Sequence, residues 1–176
     1  PWASRIILVK KKSGEVRLCI DLRDLNSKLL IQDTPLPRCD DSICRLAAAP
    51  DPDGNPSPTK HQRFFHTIDL ASAFHTLPIK EEHKERTAFV TERGKYEWNF
   101  LPFGVSAGPS YMTRLIESTI EGLEGRVAAY IDDIVGWESA STINEAFEKA
   151  LLRLNLILER LRWAGLTAKA TKCYLF

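Results

Sequence analysis

The sequence predicts an α+β fold, and three observations predict it. Short runs rich in β-branched and aromatic residues recur between turn-forming residues. Two longer stretches, near 109–123 and 143–164, carry apolar residues at helical spacing. An apolar fraction of 44% with 27% charged residues, over 176 residues, suits one domain or two closely packed subdomains with a real interior. Strands interspersed with packing helices make the α+β class. No apolar run reaches the roughly 18 residues of a membrane span.

Along the chain, Arg5 to Val9 reads as a strand, Lys10 to Gly14 as a basic turn, and Glu15 to Ile20 as the returning strand. Asp21 to Leu30 reads as a short helix or irregular turn, and Asp40 to Ala49 as a helix stopped by Pro50. Residues 50–60 hold a Pro-rich surface loop. Phe64 to Leu70 is a strand running through Asp69. Thr87 to Thr91 and Tyr96 to Phe100 flank a turn at Glu92 to Lys95. Met112, Leu115, Ile116, Ile120 and Leu123 mark a helix ended by Gly122 and Gly125. Val127 to Ile131 and Ile134 to Trp137 are two apolar strands around Asp132 and Asp133. The longest helix is expected at Ile143 to Ala164. Thr142 and Glu145 are spaced as a capping box, Gly165 is the stop, and the expected buried stripe is Phe147, Ala150, Leu151, Leu154, Leu158 and Leu161.

Net charge is +1, but its distribution is uneven. Pro1 to Arg38 holds eight Lys or Arg against four acids, Glu117 to Glu148 holds eight acids against Arg126, and Lys149 to Phe176 holds six bases against Glu159. Basic flanks around an acidic middle suit phosphates outside and divalent metal within; solvated helix faces give the same pattern. The N-terminus shows no signal peptide, and Cys19, Cys39, Cys44 and Cys173 form no CxxC pair, so reduced thiols are expected. Cys39 and Cys44 with His61 and His66 superficially resemble a zinc set. The loop-like spacing and the strand position of His66 argue against zinc.

The most informative stretch is Tyr130 to Ile134. Two adjacent carboxylates at a hairpin tip repel and raise a pKa, a penalty that hard divalent cations remove. An Asp-Asp pair alone is an ordinary solvated turn, and Asp69 alone an ordinary helix cap. A strand-end Asp69 placed beside the Asp132–Asp133 hairpin in one sheet can assemble a two-metal site.

These residues sit in a series that resembles the reverse transcriptase family, closest to gypsy-type LTR retrotransposon polyproteins, in order over essentially the whole chain. Pro1 to Ser4 and Val9 to Gly14 resemble the start of the fingers, Arg17 to Asn26 the next block, and Thr34 to Arg38 the connector. Asp69 to His75, Leu101 to Pro109, Tyr130 to Asp133 and Gly165 to Cys173 resemble motifs A, B, C and D. The resemblance implies a right-hand polymerase fold. Fingers would span about 1–65 and 79–105, and the palm about 66–78 and 106–176, as a small antiparallel sheet backed by helices. Residues 50–60 would be an insertion, and the thumb, connection and RNase H segments are expected to be absent. It implies RNA-directed DNA polymerase activity with two Mg²⁺ ions, Mn²⁺ being the alternative, and an RNA or DNA template with primer and deoxynucleoside triphosphates as partners.

Residue by residue, the resemblance makes Asp69, Asp132 and Asp133 the catalytic metal ligands, with Leu70 offering its backbone carbonyl. Lys11 reaches the γ-phosphate and Arg17 lies over the incoming base. Phe74 excludes a ribose 2′-hydroxyl, Phe103 packs near the nucleotide, and Lys172 is the proton donor to pyrophosphate. Taken alone, Lys11 reads better as a solvated turn residue and Phe74 better as a core phenylalanine, while Lys172 reads equally well as an exposed lysine. An intracellular, cytoplasmic setting in the virus-like particle of the element, with a nuclear phase, is implied, and no membrane. Two other readings stay open: a non-catalytic transposon-derived fragment that at most binds nucleic acid, and an RNA-dependent RNA polymerase, against which Phe74 argues.

Overall fold

The computed structural model describes residues 2–10, 14–30, 62–123 and 125–176. The chain divides into two compact units, one within Pro1–Thr34 and Ser72–Met112, the other within Pro35–Ala71 and Thr113–Phe176. The helix expected at 40–49, the Pro-rich segment 50–60, Lys11, and the Cys39, Cys44 and His61 of the zinc-like set lie outside the described residues.

In the first unit, β1 (Ile6–Lys10) and β2 (Val16–Ile20) form an antiparallel hairpin, Ile6 opposite Ile20 and Val9 opposite Arg17. Asp21 follows, its carboxylate accepting from the Arg23 backbone N–H at 3.3 Å and gripping the Arg23 guanidinium at 2.6 and 2.8 Å; this hydrogen-bonded charge holds the Asp21 pKa down to about 2. It opens α1 (Arg23–Asn26), one short turn. Ile20, Leu22 and Leu25 are the buried centre, with Trp2, Leu29, Phe89, Trp98 and Val105 packed around them. Beyond α2 (Glu81–Lys84), β4 (Phe89–Thr91) pairs with β5 (Gly94–Tyr96). The second strand was expected at 96–100. Glu92 and Arg93 alone make the turn, and Gly94, at φ +137°, starts the return two residues early.

In the second unit, β3 (Gln62–Asp69), β6 (Val127–Tyr130), β7 (Asp133–Ala140) and β8 (Tyr174–Leu175) form one antiparallel sheet in the order β6-β7-β3-β8. The helix α3 (Gly108–Thr119) belongs to the first unit up to Met112 and to the second from Thr113; it begins with Pro109 in its first turn, where a missing N–H costs nothing, and ends before the expected glycine stops. The helix α4 (Ile143–Trp163) packs on β3 and β7. Thr142 caps it by accepting from the Glu145 N–H at 3.3 Å. At its other end Gly165 takes φ +71°, with Gly165 N–H to Arg162 O at 3.1 Å and Leu166 N–H to Leu161 O at 2.8 Å, a Schellman stop that buries Leu166 with Leu161.

The buried stripe of α4 differs from expectation. It is Ala146, Ala150, Leu154, Ile157 and Leu161, while Phe147, Leu151 and Leu158 keep 40%, 43% and 41% of their surface exposed. The alanines face the sheet because they let the helix axis come close. Phe147 packs instead at the flank with Phe64 and Phe176, ring centroids 5.5 and 5.1 Å away.

Two ionisable side chains among the described residues are buried inside this unit. Glu138 is buried and receives Arg153 Nε at 2.8 Å, with Arg126 Nε at 4.0 Å from its other oxygen. His66 is 1% exposed, opposite Gly136 on β7, and neither ring nitrogen has a hydrogen-bond partner among the described residues. Burial first, and then the Arg153 charge, push its pKa down to about 4, against the pull of Glu138. The folded chain thus holds neutral imidazole, whereas the unfolded chain protonates below about 6.5. Stability is whole above that pH and is lost as pH falls toward 4, by about 3 kcal/mol. Urea unfolding at pH 7 and pH 4.5 is expected to show this loss, and His66→Leu to remove most of it; an equal acid loss in the variant would assign the effect to other groups.

Candidate active site

The register of the sheet brings the acidic residues to one end. Asp69 is the last residue of β3 and stands directly opposite Asp133, the first of β7. Tyr130 also pairs with Asp133, so Ile131 and Asp132 are the whole turn between β6 and β7. A two-residue hairpin needs a left-handed residue at its first position, and Ile131 fills it at φ +55°. A β-branched side chain there costs on the order of 1–3 kcal/mol, strain of the kind stored at functional sites. Asp132 is half-buried in that turn.

Backbone bonds lock the strand end to the turn. Leu70 N–H donates to Asp132 O at 3.2 Å. On the other side, Ala71 N–H donates to Thr167 O at 2.7 Å and Lys169 N–H to Asp69 O at 2.8 Å, bracketing a bridge between Leu70 and Ala168. An extended residue presents its N–H and C=O to the same edge, so the Leu70 carbonyl faces the Asp132 turn. The segment after Ala168 turns through a 3-10 helix, Ala170–Lys172, and sets Lys172 Nζ 2.7 Å from Asp69 Oδ2. That hydrogen bond, and the negative charges around it, raise the Lys172 pKa. The Asp133 pKa is also raised, by desolvation first and then by the charges of Asp132 and Asp69, with Lys172 opposing. Three carboxylates therefore feel one another and one ammonium partly compensates them.

The donors are all hard oxygens, the kind that Mg²⁺ and Mn²⁺ take. Among the described residues no three His, Cys, Asp or Glu side chains close into a metal cage, and one Asp69 oxygen is turned to Lys172. Asp69 and Asp133 nonetheless stand opposite each other with Asp132 in the adjoining turn, so the donor oxygens fit a divalent ion in kind.

The aromatic residues singled out in the sequence lie in the first unit. Ser72, at φ +51°, starts a 3-10 turn, Ala73–Thr76, that carries Phe74 and His75. Phe74 lies 5.6 Å from Phe103, centroid to centroid, and His75 packs edge-on to Phe103 at 4.9 Å while stacking on Trp98 at 5.4 Å. The loop after Phe103 is fixed by a residue the sequence did not single out. Asn26 Nδ2 donates to Gly104 O at 2.8 Å, and its Oδ1 accepts from Ser106 N–H at 2.9 Å. A sequence separation of 78 between Asn26 and Gly104 left no local signal of that contact. Arg17 lies on β2, and Lys11 falls outside the described residues.

The profile of the family described as reverse transcriptase (RNA-dependent DNA polymerase) matches residues 9–176. The retrovirus-related Pol polyprotein from transposon 412 of Drosophila melanogaster is 33% identical over 76% of the chain, and that from transposon gypsy of the same organism is 30% identical over 77%. The chain spans 10% and 12% of those two relatives. A foamy viral protease-reverse transcriptase, solved with double-stranded DNA, superposes with a TM-score of 0.78 at 25% identity, covering 99% of this chain and 27% of that one. The fold is the right-hand polymerase fold. No helix among the described residues is long and apolar enough to cross a membrane.

Proposed function

The chain belongs to the reverse transcriptase family, and we propose that it is the fingers and palm core of an RNA-directed DNA polymerase from an LTR retrotransposon polyprotein, adding deoxynucleotides to a primer 3′-end. The observation that carries this reading is the register that sets Asp69 opposite Asp133, with Asp132 in the strained turn beside them. Fingers at about 1–65 and 79–105, and a palm at about 66–78 and 106–176, are part of the proposal.

The family generally uses divalent metal ions. In this reading Asp69, Asp132, Asp133 and the Leu70 carbonyl hold two Mg²⁺, with Mn²⁺ as the substitute. When bound, such ions ease deprotonation of the primer 3′-hydroxyl and stabilise the leaving pyrophosphate. The chain's own residues do the rest. Lys172, whose ammonium donates to Asp69 Oδ2, would in this reading give a proton to the departing pyrophosphate. Phe74 stands against the sugar and leaves no room for a 2′-hydroxyl, while Phe103 packs beside it. Lys11 serves as a point charge for the γ-phosphate and Arg17 as a planar fork over the base.

Template and primer are the proposed partners, as RNA or DNA. Solved relatives with double-stranded DNA and with an RNA/DNA hybrid support this. The thumb, connection and RNase H segments of a parent polyprotein are the further partners. The setting is the cytoplasmic particle of the element, with a nuclear phase. The test is primer extension on an RNA template. Extension in Mg²⁺, abolished by a chelator and restored by added Mg²⁺ or Mn²⁺, is the expected result. Salt-sensitive template binding with no extension in either metal would favour the non-catalytic alternative.

A further inference from the structure

We infer that Gly108 is a specificity-determining positioning residue: its bare Cα is the seat of the Phe74 ring and sets where that ring stands under the sugar of the incoming nucleotide. The inference rests on the proposed role of Phe74 and goes beyond it.

Most glycines described here have a conformational reason. Gly14, Gly94, Gly104, Gly122 and Gly165 all take a left-handed φ. Gly108 does not, and as the first residue of α3 it occupies backbone that alanine adopts freely. What singles it out is space. A Cβ built there would lie 3.1 Å from Phe74 Cε1, 3.3 Å from Phe74 Cδ1 and 3.3 Å from Leu101 Cδ2. Those separations are inside ordinary carbon–carbon contact, so a methyl group must displace a neighbour. Phe74 and Leu101 are both partly exposed, so they yield and the chain still folds. The backbone under Phe74 does not yield as readily. Leu77 N–H donates to Phe74 O, and Thr76 Oγ1 donates to Ala73 O at 2.6 Å, closing the 3-10 turn. The displacement therefore falls on the ring, by a few tenths of an ångström, away from α3.

For a residue that selects by filling space, such a shift has a definite signature. A deoxynucleotide loses part of its fit against the ring. A ribonucleotide is excluded already and has little to lose. The preference between them narrows through the deoxynucleotide KM, with little change in kcat.

The experiment is single-nucleotide primer extension with dATP and with ATP, using the wild-type chain, Gly108→Ala, Phe74→Ala and the double variant Gly108→Ala/Phe74→Leu. Gly108→Ala is expected to raise the KM for dATP about three- to tenfold at near-constant kcat, the smaller relative of the losses that follow ångström-scale misplacement. The shorter leucine in the double variant is expected to return that KM toward the wild-type value. A merely structural glycine would lower active enzyme and kcat without touching the dATP/ATP ratio. If Phe74→Ala loosens selection while Gly108→Ala keeps the wild-type ratio, the inference on Gly108 is overturned alone. If Phe74→Ala leaves ATP exclusion intact, the reading of Phe74 falls and takes the inference with it; a wild-type chain that adds no nucleotide overturns both. Should Gly108→Ala lose its folded structure, the same comparison in a Leu101→Ala background removes one side of the crowding and leaves the methyl opposed by Phe74 alone.

Discussion

Asp132→Asn is expected to slow nucleotide addition by about 10³-fold, or roughly 4 kcal/mol of barrier, while leaving the thermal midpoint unchanged or slightly raised. The two expectations come from the same electrostatics. Asp132 sits between β6 and β7 where the Asp133 pKa is already pushed up by desolvation, then by Asp132 and Asp69. Removing one of these charges relieves repulsion in the folded chain. It also removes an oxygen donor that no neighbouring group replaces, since asparagine offers a hard divalent ion only a neutral amide. A residue whose loss costs activity and spares or improves stability is acting in function rather than in folding. Asp69→Asn is expected to differ in stability, because it also gives up the 2.7 Å bond to Lys172. Single-turnover extension and a thermal melt on the same samples separate the two effects. Activity of Asp132→Asn within tenfold of wild type would sink the metal-ligand assignment.

Much of this site was legible in the sequence, and the reasons are local. A strand-end aspartate and an Asp-Asp pair between apolar runs can be read without knowing the fold, because alternation and turn chemistry act over a few residues. Their direct opposition could not be read, since register is set by the pairing of β3 with β7 across a sequence separation of 64 between Asp69 and Asp133. The Lys172 bond to Asp69 closes a span of 103 residues and left no signal in the sequence, where family resemblance pointed to Lys172 only as a proton donor. The stripe of α4 was read correctly at Ala150, Leu154 and Leu161 and misplaced at Phe147, Leu151 and Leu158 by a physical ambiguity. The helix carries large apolar residues on two adjacent faces, and the sheet selected the one lined by Ala146 and Ala150, where close approach gains more contact than a bulky leucine. Ile131 shows the reverse case. A hairpin of two residues favours glycine there, so an isoleucine was a signal of strain hidden in plain sequence.

Gly136→Ala is expected to destabilise the second unit by about 3 kcal/mol, at the upper end of what overpacking costs. The Cβ would fall 2.1 Å from His66 Nε2 and 2.6 Å from Cε1, well inside any real contact. His66 is 1% exposed and its ring has no open side to swing into, so the backbone of β7 must move instead. That cost is a large part of the 5–15 kcal/mol that typically holds a domain together. The same strand carries Asp133 into register with Asp69, three residues from Gly136, so the displacement also reaches the carboxylates and activity falls with stability. Removing the ring should reverse much of it. His66→Ala alone leaves a cavity and is expected to cost about 2 kcal/mol. In the double variant the new methyl enters that cavity, so the two costs should not add; a coupling of about 2 kcal/mol is expected in a double-mutant cycle by urea unfolding. Additive losses would show that something other than the His66 ring requires glycine at this position. With the coupling present, the His66–Gly136 contact is one packing constraint on the β3–β7 pairing that carries Asp69 opposite Asp133, on which the proposed chemistry depends.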